Sequence, residues 1–227
     1  MALSFQKFSD DTDIIKTASA GKSARRGLYR SGLKRVFDIC VVLLTLPFTI
    51  PLIAVVALVV LAESGNPFFL QSRLGRNGKV FRIWKLRTMV SDADARLEAY
   101  LAQNDAARAE WEKTQKLKDD PRITPLGRFL RKTSLDELPQ LWNVLRGDMS
   151  LVGPRPMMCN QRHIYPGAAY YRLRPGITGT WQISDRNESE FKSRAAYDTR
   201  YEQELSLLVD LRILAGTVIA VLRGTGY

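Results

Sequence analysis

Histidine is almost missing from this 227-residue chain, which has only His163. That excludes a multi-histidine metal centre and argues against a Ser-His-Asp hydrolase. Cysteine is nearly as scarce. Cys40 and Cys159 make no disulfide framework, and Cys40 falls inside an apolar run. Acidic residues are in deficit, with 23 Asp and Glu against 34 Lys and Arg and a formal net charge of +11. A chain this basic requires an anionic partner: nucleic acid, anionic lipid or a phosphorylated substrate. Helix-turn-helix, zinc-finger and RNA-binding signatures are all lacking, so nucleic acid ranks last. There is no internal repeat, and the length suits one domain with appendages.

What the chain does have, first, is a long apolar run. Residues 1–33 are polar and basic and read as a loose tail. Val36 to Ala62 comes next, 27 residues with Asp38 as the one charge. This exceeds the roughly 20 residues needed to cross a bilayer as a helix. The run starts too late and is too long for a signal peptide, so residues 34–66 form a membrane anchor. Its flanks are both cationic: seven basic and no acidic residues after Ile14 up to Arg35, six basic and none acidic from Arg73 to Arg87. The positive-inside rule keeps both flanks cytoplasmic, which a straight span cannot satisfy. Pro47 and Pro51 each remove a helix N–H and invite a kink. A re-entrant helix is the favoured reading, with a simple span as its alternative.

Residues 67–227 then read as one soluble domain. Pro67 to Gln71 and Val80 to Lys85 form a hairpin around the turn Arg76-Asn77-Gly78-Lys79. Its basic face serves either to hold phosphate or simply to meet solvent. Asp92 to Lys118 reads as a helix that buries Leu97, Tyr100, Leu101 and Trp111. Thr180 to Ile183 reads as a strand, and Phe191 to Tyr201 as a helix. Leu205 to Leu222 carries two charges inside an apolar stretch, which suits an interfacial amphipathic helix better than a second span. The fold class is therefore α+β, mostly helical, with a small β-hairpin.

The chemistry concentrates between Arg131 and Pro156. This block holds Asp136, Glu137 and Asp148 among Arg131, Lys132, Arg146 and Arg155. Leu138, Leu141, Trp142 and Leu145 recur at helical spacing, and Gly147 stands where a helix C-terminus favours a left-handed residue. Carboxylates for a hard cation beside arginines for phosphate suit chemistry on a phosphoryl group. A plainer reading stands beside it: Ser134-Leu135-Asp136-Glu137 fits a capping box that only satisfies helix N–H groups. Arg155 between Pro154 and Pro156, and Arg174 before Pro175, sit on stiff turns of structural or binding use.

Thr133 to Pro156 resembles the signature of the bacterial sugar transferases, the monotopic polyprenyl-phosphate phosphoglycosyl transferases. The resemblance extends from about Lys34 to Tyr227. It includes the entry Arg35-Val36-Phe37-Asp38, Pro51 thirteen residues later, and Lys85-Leu86-Arg87-Thr88-Met89. Ile50 departs from the pattern, which usually has Ser before that proline. The chain is most similar to the galactose-phosphate transferases of exopolysaccharide synthesis. The resemblance implies transfer of a sugar-1-phosphate, galactose or glucose, from a UDP-sugar to undecaprenyl phosphate with release of UMP. It implies Asp136 as nucleophile, Glu137 as Mg²⁺ ligand or its orienter, and Asp136 beside it at the metal. Arg131, Arg155 and Arg174 are then phosphate binders, with Lys85, Arg87 and Asp148 supporting the substrate. The lipid bilayer is a further partner, a homodimer stays open, and the catalytic part faces the cytoplasm at the bacterial inner membrane.

Overall fold

The computed structural model describes residues 27–114, 117–184 and 191–223. Most of the tail expected at residues 1–33 lies outside them. At its end, Tyr29–Leu33 forms a π-helix that runs directly into α1 (Lys34–Ser64). Two side-chain contacts tie it to the C-terminal helices. Tyr29 donates its hydroxyl to Asp210 at 2.7 Å, and Arg30 pairs with Glu202.

The helix α1 carries Pro47 and Pro51 in its interior and ends at Gly65 in the left-handed conformation. It is long and apolar enough to cross a membrane. Its first turns belong to the domain core. Asp38 is buried and accepts from Ser150 Oγ at 2.7 Å and from the Leu151 N–H at 3.2 Å. Val42 packs in the main cluster with Ile83, Val144, Met149 and Val152. Arg35 donates to the Val144 and Leu145 carbonyls. Beyond Leu46 the helix leaves the domain, and Leu43, Leu44, Phe48, Ile50 and Leu58 are exposed along it. It meets the domain again at its other end, where Glu63 accepts from Thr124 Oγ1 at 2.9 Å.

The strands β1 (Phe68–Leu74) and β2 (Val80–Leu86) pair antiparallel, Phe68 opposite Leu86 and Leu74 opposite Val80. Their turn places both Asn77 and Gly78 at positive φ, as an Asn-Gly hairpin turn demands. The helix expected from Asp92 to Lys118 is instead two, α2 (Ala93–Gln103) and α3 (Asp105–Thr114). Asn104 breaks it: its backbone is extended and its side chain accepts from the Ala107 N–H, starting a new helix. Leu97, Tyr100, Leu101 and Trp111 are only half-buried there.

Next come α4 (Pro125–Thr133) and α5 (Gln140–Arg146), joined by the 3-10 turn Leu135–Glu137. Thr124 caps α4 through the Gly127 N–H, with Pro125 at the first helical position. Gly127 lets α4 press onto the segment after β2, since a Cβ there would sit 2.1 Å from the Thr88 carbonyl oxygen. After Gly147, a left-handed C-cap as expected, β3 (Ser150–Val152) pairs in parallel with β4 (Gly176–Thr178), with α6 (Ala169–Arg172) between them. Thr180–Ile183, expected as a strand, is the short helix α7; the strand ends two residues earlier. The chain closes with α8 (Arg194–Glu204) and α9 (Leu207–Leu222), the latter capped by Ser206. Asp210 and Ile213 of α9 are buried while Leu208, Leu211, Val218 and Leu222 face out.

Candidate active site

The turn between α4 and α5 presents the two acids. Ser134 does not cap it. Ser134 sits at φ 57° as the left-handed end of α4 and its side chain makes no capping bond, so the capping-box reading is not realised. Leu135–Glu137 instead forms a tight 3-10 turn that aims two consecutive carboxylates differently. Asp136 turns inward and is 7% exposed, whereas Glu137 stays half-buried at the cleft wall.

Lys85, near the end of β2, reaches both: its Nζ lies 2.7 Å from Glu137 Oε1 and 3.7 Å from Asp136 Oδ2. Arg131, near the end of α4, is fixed by donating from Nε to Thr88 Oγ1 at 2.9 Å. Burial pushes the Asp136 carboxyl above the usual carboxylate range. Lys85 pulls it down, Glu137 pushes it up and Arg131 pulls it down. Burial strips the carboxylate of water while the two cations oppose the loss of its charge, an environment suited to a nucleophilic carboxylate.

Beyond Glu137 the cleft is lined by Lys85, Gln140, Arg155, Ile177 and Arg73 of β1. Arg155 lies over the Trp181 ring, with its Cζ 5.7 Å from the centroid. Arg194 of α8 covers the same ring at 4.1 Å and Phe191 at 4.7 Å. Arg73 and Arg194 are each pushed down to about 10, first by burial and next by the charge of Arg155. Three mutually repelling guanidiniums beside a cleft are what a phosphate needs. Sequence patterning does not single out Arg73 or Arg194. Arg73 lies inside a hairpin whose basic face is equally readable as solvated, and Arg194 lies far along the chain in a polar helix.

Other expected residues go elsewhere. Arg174 donates from Nε to the Gly147 carbonyl at 3.0 Å, beside Arg35 on the Val144 and Leu145 carbonyls. These two arginines cap the C-terminus of α5, a favoured position for cations on the helix dipole. Asp148 lies at the same end, 3.5 Å from Arg146 Nε and from Asn143 Nδ2. So α5 separates Arg174 and Asp148 from the acid pair at its opposite end. Arg87 is half-buried next to Thr88, and its buried Nε has no hydrogen-bond partner.

Among the described residues no group of three or more His, Cys, Asp or Glu forms a metal cluster. The oxygen donors Asp136 and Glu137 do suit Mg²⁺, which is commonly held by one or two carboxylates with the rest of its shell from substrate phosphate and water.

Comparison with known proteins places the chain in a family. A family model described as bacterial sugar transferase matches residues 29–224. The exopolysaccharide production protein ExoY of Sinorhizobium fredii is 46% identical over 196 residues, covering 85% of this chain and 87% of that protein. The undecaprenyl-phosphate galactose phosphotransferase of Salmonella typhimurium is also 46% identical, over 86% of this chain but 41% of its own length. A UDP-glucose:undecaprenyl-phosphate glucose-1-phosphate transferase of Caulobacter vibrioides is 40% identical, over 83% of this chain and 69% of that protein. The Salmonella relative is thus much longer: the chain spans less than half of it. The chain belongs to the bacterial sugar transferase family, and it is a phosphoglycosyl transferase.

The contacts of Lys85 lead to a pH prediction. With Asp136 as the proposed attacking group, ionisation is required, and its raised pKa predicts an acid limb of kcat/KM above the ordinary carboxylate range. Lys85→Met removes the nearest cation, so Asp136 holds its proton to still higher pH. The acid limb should move upward together with a lower plateau. An acid limb that stays in place would disconnect Lys85 from the ionisation that limits the rate.

Proposed function

We propose that the chain transfers a sugar-1-phosphate from a UDP-sugar to undecaprenyl phosphate, releasing UMP, as the first membrane step of exopolysaccharide synthesis. Galactose is the favoured sugar, because most of the named relatives with a stated sugar are galactose transferases; glucose is the runner-up. The observation that carries the reading is Asp136, buried between Lys85 and Arg131 with Glu137 beside it.

A carboxylate oxygen of Asp136 attacks the sugar-bearing phosphorus. The bond from that phosphorus to the bridging oxygen breaks, and the electron pair leaves on UMP. The resulting acyl phosphate is then attacked by an oxygen of the lipid phosphate, which forms the diphosphate and restores the carboxylate. Two anions are thereby joined in two steps, each with cations at hand. Arg131 and Lys85 hold Asp136 and the incoming phosphate in register, and Arg155 borders the cleft that receives the diphosphate. Asp136 and Glu137 would hold Mg²⁺, which supplies neutralisation of phosphate charge when bound.

The anchor is re-entrant in this reading. Support comes from α1 meeting one domain at both ends, through Arg35 and Asp38 at one and Glu63 at the other. A straight helix separates Asp38 from Glu63 by roughly 38 Å, more than the roughly 30 Å hydrocarbon core. A span would put those ends on opposite faces of the bilayer. Thr45 and Thr49 bond back to the Val42 and Thr45 carbonyls around the prolines, a pattern that bends helices. Residues 67–227 are then the cytoplasmic catalytic part, where nucleotide-sugar is available.

Two experiments test this. With a panel of radiolabelled UDP-sugars and undecaprenyl phosphate, one sugar-phosphate should move to lipid with equimolar UMP. Asp136→Asn should fold and lose at least roughly 1,000-fold in rate, the order of what a missing nucleophile costs. Lipid labelling by that variant near the native rate would place the nucleophile elsewhere. For the anchor, single cysteines at Ser23 and Ser64 in a background free of Cys40 and Cys159 should both resist an impermeant thiol reagent in intact cells. Labelling at position 23 alone means a span.

A further inference from the structure

Arg131 has a long side chain with many rotamers, and its charge serves Asp136 in few of them. What restrains it lies outside the cleft. Its Nε donates to Thr88 Oγ1 at 2.9 Å, which leaves the terminal fork of the guanidinium for the site. Thr88 is buried and is tied in turn through the main chain. Its carbonyl accepts from the Thr124 N–H at 3.1 Å, and the Val90 N–H donates to the Arg122 carbonyl at 2.9 Å. Met89 and Ile123 form an antiparallel bridge between these two segments. Gly127 brings α4, which carries Arg131, against the same Thr88 carbonyl.

The segment opposite Thr88 has its own lock. Asp120 and Arg122 are both buried. The Asp120 carboxylate accepts from the Arg122 N–H at 3.0 Å, from its Nε at 2.8 Å and from its Nη2 at 2.7 Å. That guanidinium lies over the Trp111 ring of α3, with Cζ 5.1 Å from the centroid. A planar cation held by a two-pronged carboxylate and an aromatic face is stiff. Burial pushes the Arg131 guanidinium down, Asp136 and then Asp120 pull it up, and Arg122 pushes it down. Charges thus alternate inward from α3: Arg122, Asp120, Arg131, Asp136.

We propose that Thr88 is a positioning residue for the transfer, holding the Arg131 fork beside Asp136, and that α3 braces this hold through Trp111, Arg122 and Asp120. The inference rests on the transfer reaction described above. It gives α3, which supplies no side chain to the acid pair or the cleft, a part in the rate. A cation fixed before the reaction starts meets the phosphate charge without reorganising. A misplacement of about 1 Å costs about 100-fold, so a hydroxyl that touches no substrate still governs turnover.

The test uses the full chain in detergent, with transfer from a UDP-sugar to undecaprenyl phosphate followed against pH. Thr88→Val keeps the branched shape and loses the oxygen. It should lower kcat about ten-fold and move the acid limb of kcat/KM upward. The limb moves because Asp136 keeps the pull of Lys85 and the push of Glu137 but loses part of the pull of Arg131. Thr88→Ser restores the oxygen and should regain most of the rate. Trp111→Leu should shift rate and limb in the same direction by less, and it carries the test if Thr88→Val does not fold. Lower stability alone, with native kcat and an unmoved acid limb in the folded variants, overturns the positioning role. Equal impairment of Thr88→Val and Thr88→Ser overturns it too, because the oxygen is then irrelevant. Native rate and limb in Trp111→Leu overturn the brace. Wild-type protein that transfers no sugar-phosphate overturns the underlying reaction instead, a result that requires no variant.

Discussion

The site depends on one buried amide. Asn143, 1% exposed in the middle of α5, accepts from the Trp84 N–H at 3.0 Å and donates to the Arg82 carbonyl at 2.7 Å. Its side chain thereby acts as a short strand against the open edge of β2. Its backbone carbonyl accepts from the N–H groups of Asp148 and Met149, which turns the chain toward β3. An edge strand left bare would expose unpaired backbone groups. Paired through Asn143, β2 is held in register with α5, and Lys85 comes to rest over the acids that precede that helix. Breaking the amide contacts leaves buried donors and acceptors unsatisfied, at about 1–3 kcal/mol each. It also frees the distance between Lys85 and Asp136.

The same helix couples the site to α1. At the acid end of α5 stand Asp136 and Glu137; at its carbonyl end stand Arg35 from α1 and Arg174 from the turn before β4. Asp38 adds bonds from α1 to both Ser150 and Leu151 of β3. The helix α1 and the acid turn are therefore joined through α5, and in the proposed reading the depth of α1 in the lipid sets the height of Asp136 above it. An acceptor phosphate confined to the bilayer surface has to be met at a definite height.

Local signals carry much of this in the sequence, and contacts distant in the chain do not. The hairpin, the left-handed Gly147 and the apolar run are readable because turn chemistry and hydrophobic length act over a few residues. The Asp136–Glu137 pair is readable as a motif, but its packing is not. Trp142, placed by spacing with the apolar residues of α5, is 53% exposed, while Gln140 and Asn143 take the buried face. Period alone assigns the core to apolar side chains and cannot anticipate an amide that pairs with a strand edge. Thr180 to Ile183 has β-favouring residues yet forms a helical turn, following an extended Gly179 packed against the Gly153 carbonyl, a contact distant in the chain. Arg174 resembles a phosphate ligand for the same reason Arg155 does, a stiff turn beside proline. Only the position of the Gly147 carbonyl distinguishes them.

The central claim is that buried Asp136 carries the sugar-phosphate between the two substrates. The most direct measurement is to mix the full chain with a UDP-sugar labelled in its sugar-side phosphate, leave out the lipid, and map the label by mass spectrometry. The account predicts label on the peptide containing Asp136, formed with release of UMP and discharged when undecaprenyl phosphate is added. No label in a preparation that is active with both substrates, or stable label on another residue that discharges to lipid, would contradict it.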